Sequence, residues 1–477
     1  MLFNTWTFWA FAAIVIPLYW LLPFKWQNRM LLLASYVFYG WWNWRFLFLI
    51  AGSTAMDYWL GVAVNSAAPP RRKRLVALSV AVNLTLLGVF KYYNFFAREL
   101  VHALNGIGIP ASAPVFALLL PVGISFYTFQ SMSYVIDIAR GKTQPARTFF
   151  DFALYVAFFP HLVAGPIMRS GNSENGRGLL NQLENSRIYR SGDFQLGLFY
   201  ITSGLFKKVV IGDNLAPLVA SVFGAPVNQI TGPECLAALY AFAIQIYADF
   251  SGYSSIAQGI AKWMGIDLMT NFRQPYLAAS PSDFWRRWHI SLSTWLRDYV
   301  YISAGGSRDG QLRTYRNLML TMVLGGIWHG ANWTFLAWGV FHGALLCIYH
   351  FVDRDGQRKT IHDYPFGEAL LRMVVMFHLV CLGWLLFRAD SLGQAWDMLH
   401  LMTHNFVVTP LARTILQGIV FYAAPLLVFE YWVERRNDLT SLVKTTWIYR
   451  AAAYNYCMLM LILFAAPTKH EFIYFQF

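Results

Sequence analysis

Residues 317–352 read NLMLTMVLGGIWHGANWTFLAWGVFHGALLCIYHFV, 36 positions without one Asp, Glu, Lys or Arg. A straight helix of that length rises about 54 Å, far beyond a hydrocarbon core of roughly 30 Å. The stretch therefore holds more than one segment, with the break expected at Gly325-Gly326 or around Gly330. His329 lies between those two places. An ionisable group beside interrupted backbone at membrane depth marks a functional site by default, because nothing else repays its burial.

The rest of the chain agrees with this reading. Of its 477 residues 57% are hydrophobic and only 13% charged, against about 25% charged in soluble domains. The expected class is all-α, a polytopic integral membrane protein. The formal net charge of +13 is scattered over short loops, as positive-inside topology and contact with anionic membrane lipids require. No soluble basic domain exists to bind nucleic acid. Cys235, Cys347, Cys381 and Cys457 stand singly in apolar segments, so neither a disulfide framework nor a metal site is expected. The N-terminus lacks a basic lead-in and a small-residue cleavage site, and reads as a retained first span.

Apolar windows recur near 8–22, 30–50, 52–64, 75–93, 113–138, 149–165, 194–211, 234–264, 317–352, 369–387, 413–433 and 451–466. They predict roughly ten to thirteen transmembrane or re-entrant helices in one membrane domain over 1–477. Arg71-Arg72-Lys73-Arg74, and then Arg140, Lys142 and Arg147, read as successive cytoplasmic loops, so the chain between them must cross out and back. Two stretches break the pattern: a polar loop over 166–193, and a mixed, arginine-rich region over 271–316. In the latter, Ser280-Pro281-Ser282-Asp283 is a helix start, with a capping hydroxyl, Pro at the first position and an acid in the first turn. Phe284, Trp288, Leu292, Trp295 and Tyr299 follow at helical spacing, which predicts one amphipathic helix at the membrane interface.

RRWHISLSTWLRDYVYI (286–302) followed by GGIWHGANWTFLAWG (325–339) resembles the membrane-bound O-acyltransferase family, in particular its bacterial, alginate-acetylating branch. The likeness extends to ASYVFYGWW (34–42), LPVGISFYTFQSMSYVID (120–137), FFPHLVAGPI (158–167), QIYADFSGYS (245–254) and FIYFQF (472–477). The sequence departs from that branch at His161, where Gln is usual, at Ser255, where an acid often stands, and at ISAGG (302–306). The resemblance implies helices around a central cavity or tunnel, and catalytic histidines at His329 and His289 within 271–350.

Acyl transfer from a thioester to an alcohol needs a base for the hydroxyl proton and a dry path for the acyl group. His329 suits the base. Asn332, three residues on, shares its face if the segment is helical there, and can orient the imidazole or donate to an oxyanion. The bland alternative is a core histidine bonded between helices. His289, beside Arg286 and Arg287, is expected at an interface, where a histidine is often just solvated; the arginines suit an anionic donor such as coenzyme A. Trp328 and Asp249 complete the residues expected along the substrate or acyl path, although pairing of Asp249 with an arginine or with Tyr253 is favoured over catalysis. Lys207-Lys208 is expected to snorkel to headgroups. The arginines of 166–193 read as a solvated loop, with cofactor contact a lesser option. His161, His342 and His350 read as structural.

The resemblance thus implies an O-acetyltransferase taking acetyl from a cytoplasmic donor, acetyl-CoA, for an exported polysaccharide of alginate or cellulose type, with peptidoglycan also open. A periplasmic esterase-like partner is expected to complete the transfer, at the bacterial inner membrane. D-alanyl transfer to a teichoic-acid-like polymer is the rival within the enzyme class. Outside that class, the rival is a transporter that moves an acyl group or polymer without bond chemistry.

Overall fold

A computed structural model describes residues 1–112, 119–163, 165–172, 177–353, 359–466 and 472–473; Ala164, part of the 166–193 loop and the last four residues of FIYFQF lie outside them. All regular structure among the described residues is helical. Among the described residues seven helices are long and apolar enough to cross a bilayer: Phe46–Ser66, Pro69–Gly106, Ser191–Phe223, Gly232–Trp263, Trp333–Val352, Phe366–Arg388 and Pro410–Arg436, with Trp6–Leu21 shorter but apolar. The other segments in the expected count are shorter or more polar. Phe24–Gly40 carries Lys25, Gln27, Asn28 and Arg29 in its first turns, and Gln311–His329 opens with QLRTYR.

Two expectations change here. The run Arg71 to Arg74 is not a loop but the opening of helix Pro69–Gly106, with Pro at its first positions. Proline costs nothing there because its missing N–H would be unbonded anyway, and long basic side chains can reach water from a span end. The window 30–50 is not one segment either: a turn at 41–45, WWNWR, separates Phe24–Gly40 from Phe46–Ser66. Trp and Tyr suit the interface as well as the core, so hydropathy alone does not register such a turn.

The chain divides into two compact units, residues 1–197 with 257–269, and residues 198–256 with 270–477. In the first, helix Ile124–Ala139 is enclosed on nearly all sides by neighbours that include Phe46–Ser66, Pro69–Gly106 and Phe149–Ala157. Several polar groups inside it bond one another. Gln130 donates to the Tyr155 carbonyl at 2.6 Å and meets His161 Nε2 at 2.9 Å, while Asp57 accepts from Ser79 at 2.6 Å and Asn83 at 2.8 Å. Unpaired, such groups would each cost a few kcal/mol in hydrocarbon, roughly the worth of a buried leucine.

In the second unit the stretch 317–352 resolves into helices Gln311–His329 and Trp333–Val352, an antiparallel hairpin broken at Gly330 and not at Gly325-Gly326. Glycines let its backbones touch: a Cβ on Gly339 would lie 2.6 Å from the Met322 carbonyl oxygen, and one on Gly326 2.3 Å from that of Phe335. In lipid, where helices gain little from burying leucines, such close packing is the main attraction available. Most enclosed is helix Gly232–Trp263, with 83% of its central window buried.

Candidate active site

Helix Pro281–Arg287 starts as its sequence indicates: Ser280 Oγ accepts from the Asp283 N–H at 3.1 Å, with Pro281 in the first turn. The expected single amphipathic helix does not follow. The chain breaks at Trp288-His289, where His289 takes the left-handed conformation (φ 42°), before Ile290–Leu296 and a π turn, Arg297–Tyr301. A histidine at positive φ stores backbone strain that the surroundings must offset. Here they do: Ile290 N–H bonds the Asn271 carbonyl at 2.9 Å, and Arg273 N–H bonds that of Arg287 at 2.9 Å. Nor is the segment interfacial. Phe284, Trp288, Leu292 and Trp295 are buried, and His289 is 0% exposed. The apolar stripe at 284–299 packs against protein, and helical periodicity cannot distinguish that from a lipid surface.

His289 Nδ1 lies 3.1 Å from Asn271 Oδ1. That oxygen also accepts from the Ser291 N–H at 3.3 Å and Ser291 Oγ at 3.0 Å, and Asn271 Nδ2 donates to Ser254 Oγ at 3.2 Å. A backbone donor at Oδ1 identifies it as the carbonyl end of the amide, so Nδ1 must carry the proton. The lone pair is then on Nε2, the tautomer a base needs. Rings enclose the imidazole: Phe250 at 4.6 Å edge-on, Phe272 at 6.4 Å and Trp328 at 6.2 Å.

His329 is held differently. It ends helix Gln311–His329, is 4% exposed, and lies in a box of Trp328 at 4.9 Å, Trp338 at 5.0 Å and Phe387 at 5.2 Å. Trp328 thus neighbours both histidines, its ring 6.2 Å from that of His289 and 4.9 Å from that of His329. Among the described residues no group of three His, Cys, Asp or Glu side chains is placed to hold a metal ion.

The remaining expected site residues have partners of their own. Asn332 does not share a helical face with His329, because the helix ends between them. Instead it caps the next one, its Oδ1 accepting from Thr334 N–H at 3.1 Å and its Nδ2 donating to the Asp390 carbonyl at 3.0 Å. Asp249 pairs with a lysine rather than an arginine: Lys208 Nζ lies 2.7 Å from it and 2.8 Å from Asp213. Lys208 is 1% exposed, so it does not snorkel, and it sits in a π turn, Phe206–Gly212. Asp249 also accepts from the Ile473 N–H at 2.8 Å. Arg287 makes a bidentate pair with Glu434 at 2.8 and 2.9 Å and meets Asp283 at 3.1 Å, while Arg286 reaches Asp283 at 3.2 Å. Two carboxylates on Arg287 leave it little attraction for an anionic donor. His342, as expected, is packed among aromatic rings, Phe284, Trp285 and Trp338.

Asn271 is the residue that the sequence does not single out. It lies in a mixed stretch with no periodicity, and its part depends on a contact 18 positions away.

A profile of the membrane-bound O-acyltransferase family matches residues 146–387, which contain both histidines. The chain is similar to the probable alginate O-acetylase AlgI of Azotobacter vinelandii, 46% identical over 81% of this chain and 75% of that one. The corresponding protein of Pseudomonas aeruginosa is 44% identical over 82% and 72%. A peptidoglycan O-acetyltransferase of Helicobacter pylori is 32% identical over 100% of this chain and 98% of its own.

Proposed function

Because the chain belongs to the membrane-bound O-acyltransferase family, we propose that it takes acetyl from acetyl-CoA at the cytoplasmic face of a bacterial inner membrane for esterification of an exported polysaccharide. The acceptor is a sugar hydroxyl of an alginate-type polymer, reached with a periplasmic esterase-like partner. The relatives named for alginate O-acetylation support this choice of polymer. Peptidoglycan is the second choice, on the strength of a relative that matches over nearly its whole length.

The observation that carries the reading is the pair of buried histidines around Trp328, in a setting with no competing nucleophile-elbow sequence. In the reaction a histidine takes the hydroxyl proton, the alcohol oxygen attacks the thioester carbonyl, the C–S bond breaks, and the proton passes to the departing thiolate. The Nε2 lone pair of His289 is oriented for such a proton by Asn271. His329, in its aromatic box, holds the second position beside the reacting group and excludes water from it. Measuring ester-bound acetate on exopolysaccharide tests the assignment, in a deletion strain complemented with wild type, His329→Gln or His289→Gln at matched membrane levels. Wild type restores acetate and neither variant does. Full activity in both variants removes the base mechanism and favours a transporter, since glutamine keeps hydrogen bonding but cannot act as a base. No acetate from wild type means the acyl group or the polymer is wrong.

A further inference from the structure

The first unit contains a cavity of about 300 Å³, lined by Asn172, by residues between Arg177 and Asp193, and by Lys262, Gly265 and Asp267. Its floor is tied down. Gln182 exchanges two hydrogen bonds with the Asp267 backbone, at 2.9 and 2.7 Å, and the Tyr19 hydroxyl and Trp20 indole N–H each donate to a carbonyl at 263–264 at 2.9 Å. Four cationic side chains line it, Arg177, Arg187, Arg190 and Lys262, against Asp193 and Asp267. Both carboxylates are already taken by Lys262. Among the described residues Arg187 bonds neutral acceptors alone: the Tyr19 hydroxyl at 2.8 Å, the Leu183 carbonyl at 3.1 Å and Asn28 Oδ1 at 2.5 Å. Among the described residues no carboxylate pairs with the guanidinium of Arg177 or Arg190, both exposed to solvent. Four cations against two carboxylates among the described lining residues leave an excess of positive charge around one concavity, rich in forked N–H donors.

We propose that this cavity binds the phosphate groups of a phosphate-ester ligand. Guanidinium forks match phosphate oxygens in pairs, and a cavity this size takes more than a single carboxylate. The site lies beside the basic face marked by Arg147, whose backbone N–H bonds Glu184 Oε1 at 2.7 Å, three residues before Arg187. Two sources present this chemistry there: the diphosphate and ribose phosphate of coenzyme A, or the headgroup of an anionic phospholipid. The coenzyme source rests on the donor proposed above; binding of phosphate to the cavity does not.

The test uses the purified full-length chain. Coenzyme A is titrated into the protein by calorimetry, and retention of phosphatidylglycerol from mixed phosphatidylglycerol–phosphatidylcholine nanodiscs is counted by native mass spectrometry. Wild type, Arg177→Gln/Arg190→Gln, Arg177→Lys/Arg190→Lys and His329→Gln are compared. The double Gln variant removes two exposed charges and leaves the bonds of Arg187 in place, so it folds as wild type. It weakens one ligand about tenfold or more, the Lys variant less, and raising salt narrows the gap. Weakened coenzyme A binding identifies the donor, and lost phosphatidylglycerol identifies the headgroup. His329→Gln binds as wild type, so failure of the acetyl-transfer reading leaves this result standing. If neither ligand binds, or both bind the double Gln variant as they bind wild type, the proposal is overturned.

Discussion

His289 and His329 share a family motif region and near-complete burial, yet they are built by opposite means. His289 sits on strained backbone and is aimed by hydrogen bonds: Asn271 fixes its tautomer and Ser291 and Ser254 fix Asn271. His329 ends an ordinary helix and is positioned by the rings of Trp328, Trp338 and Phe387. A hydrogen bond selects which nitrogen carries the proton; a ring cage selects only where the imidazole lies. On the proposed reaction the pair divides proton handling from placement beside the reacting group, a contrast that kinetics can break or sharpen.

The largest effect belongs to the imidazoles themselves. Purified His289→Gln loses at least about 10²-fold in acyl-transfer turnover, the ordinary worth of general base catalysis, and His329→Gln loses as much by misplacing the reacting group and admitting water. Equal rates for wild type and His289→Gln would end the division of roles. Next comes Asn271→Leu, which is of similar volume but leaves Nδ1 undirected. Turnover falls about 10- to 100-fold, as for other residues that orient a functional histidine, with KM for the donor little changed. A loss in KM alone would make Asn271 a binding residue.

Stability separates the two regions as well. Gly339→Ala places a methyl group against the Met322 carbonyl, 2.6 Å away. It destabilises the hairpin that carries His329 by about 1–3 kcal/mol, read as an earlier thermal transition in detergent. Both His289→Asn and His289→Val lose the packing of the buried imidazole, but the Val variant loses about 1–2 kcal/mol more than the Asn variant, for a β-branched residue at φ 42°. The smallest change is Trp338→Phe. If rings alone hold His329, a phenyl ring preserves the box and turnover drops less than about threefold; a larger loss would reveal a polar task for the indole N–H.

Much of this architecture was legible in the sequence. Its charge-free length required 317–352 to break, and Gly330 is where it does, at a point so close-packed that a Cβ would lie 2.1 Å from the Phe335 ring. The Ser280 cap followed from its own four residues. Features that depend on distant partners were not legible. The burial of 284–299 depends on what covers its apolar stripe, and the pairing of Asp249 on a lysine 41 positions earlier in a π turn. Asn332 shares a face with His329 only if the helix continues past Gly330, whereas an Asn two residues beyond that glycine more naturally begins the next one. Asn271 gave no local signal at all.

The hydrogen bond from Ile473 to Asp249 has a consequence in time. The carboxylate is made 224 residues before its backbone donor. At roughly 5–20 residues per second, it waits on the order of 10–45 s during synthesis, with Lys208 at hand but its last partner still unmade. Any unfinished chain therefore carries a polar defect in its most enclosed helix, a mark by which quality control in the membrane could tell stalled copies from completed ones.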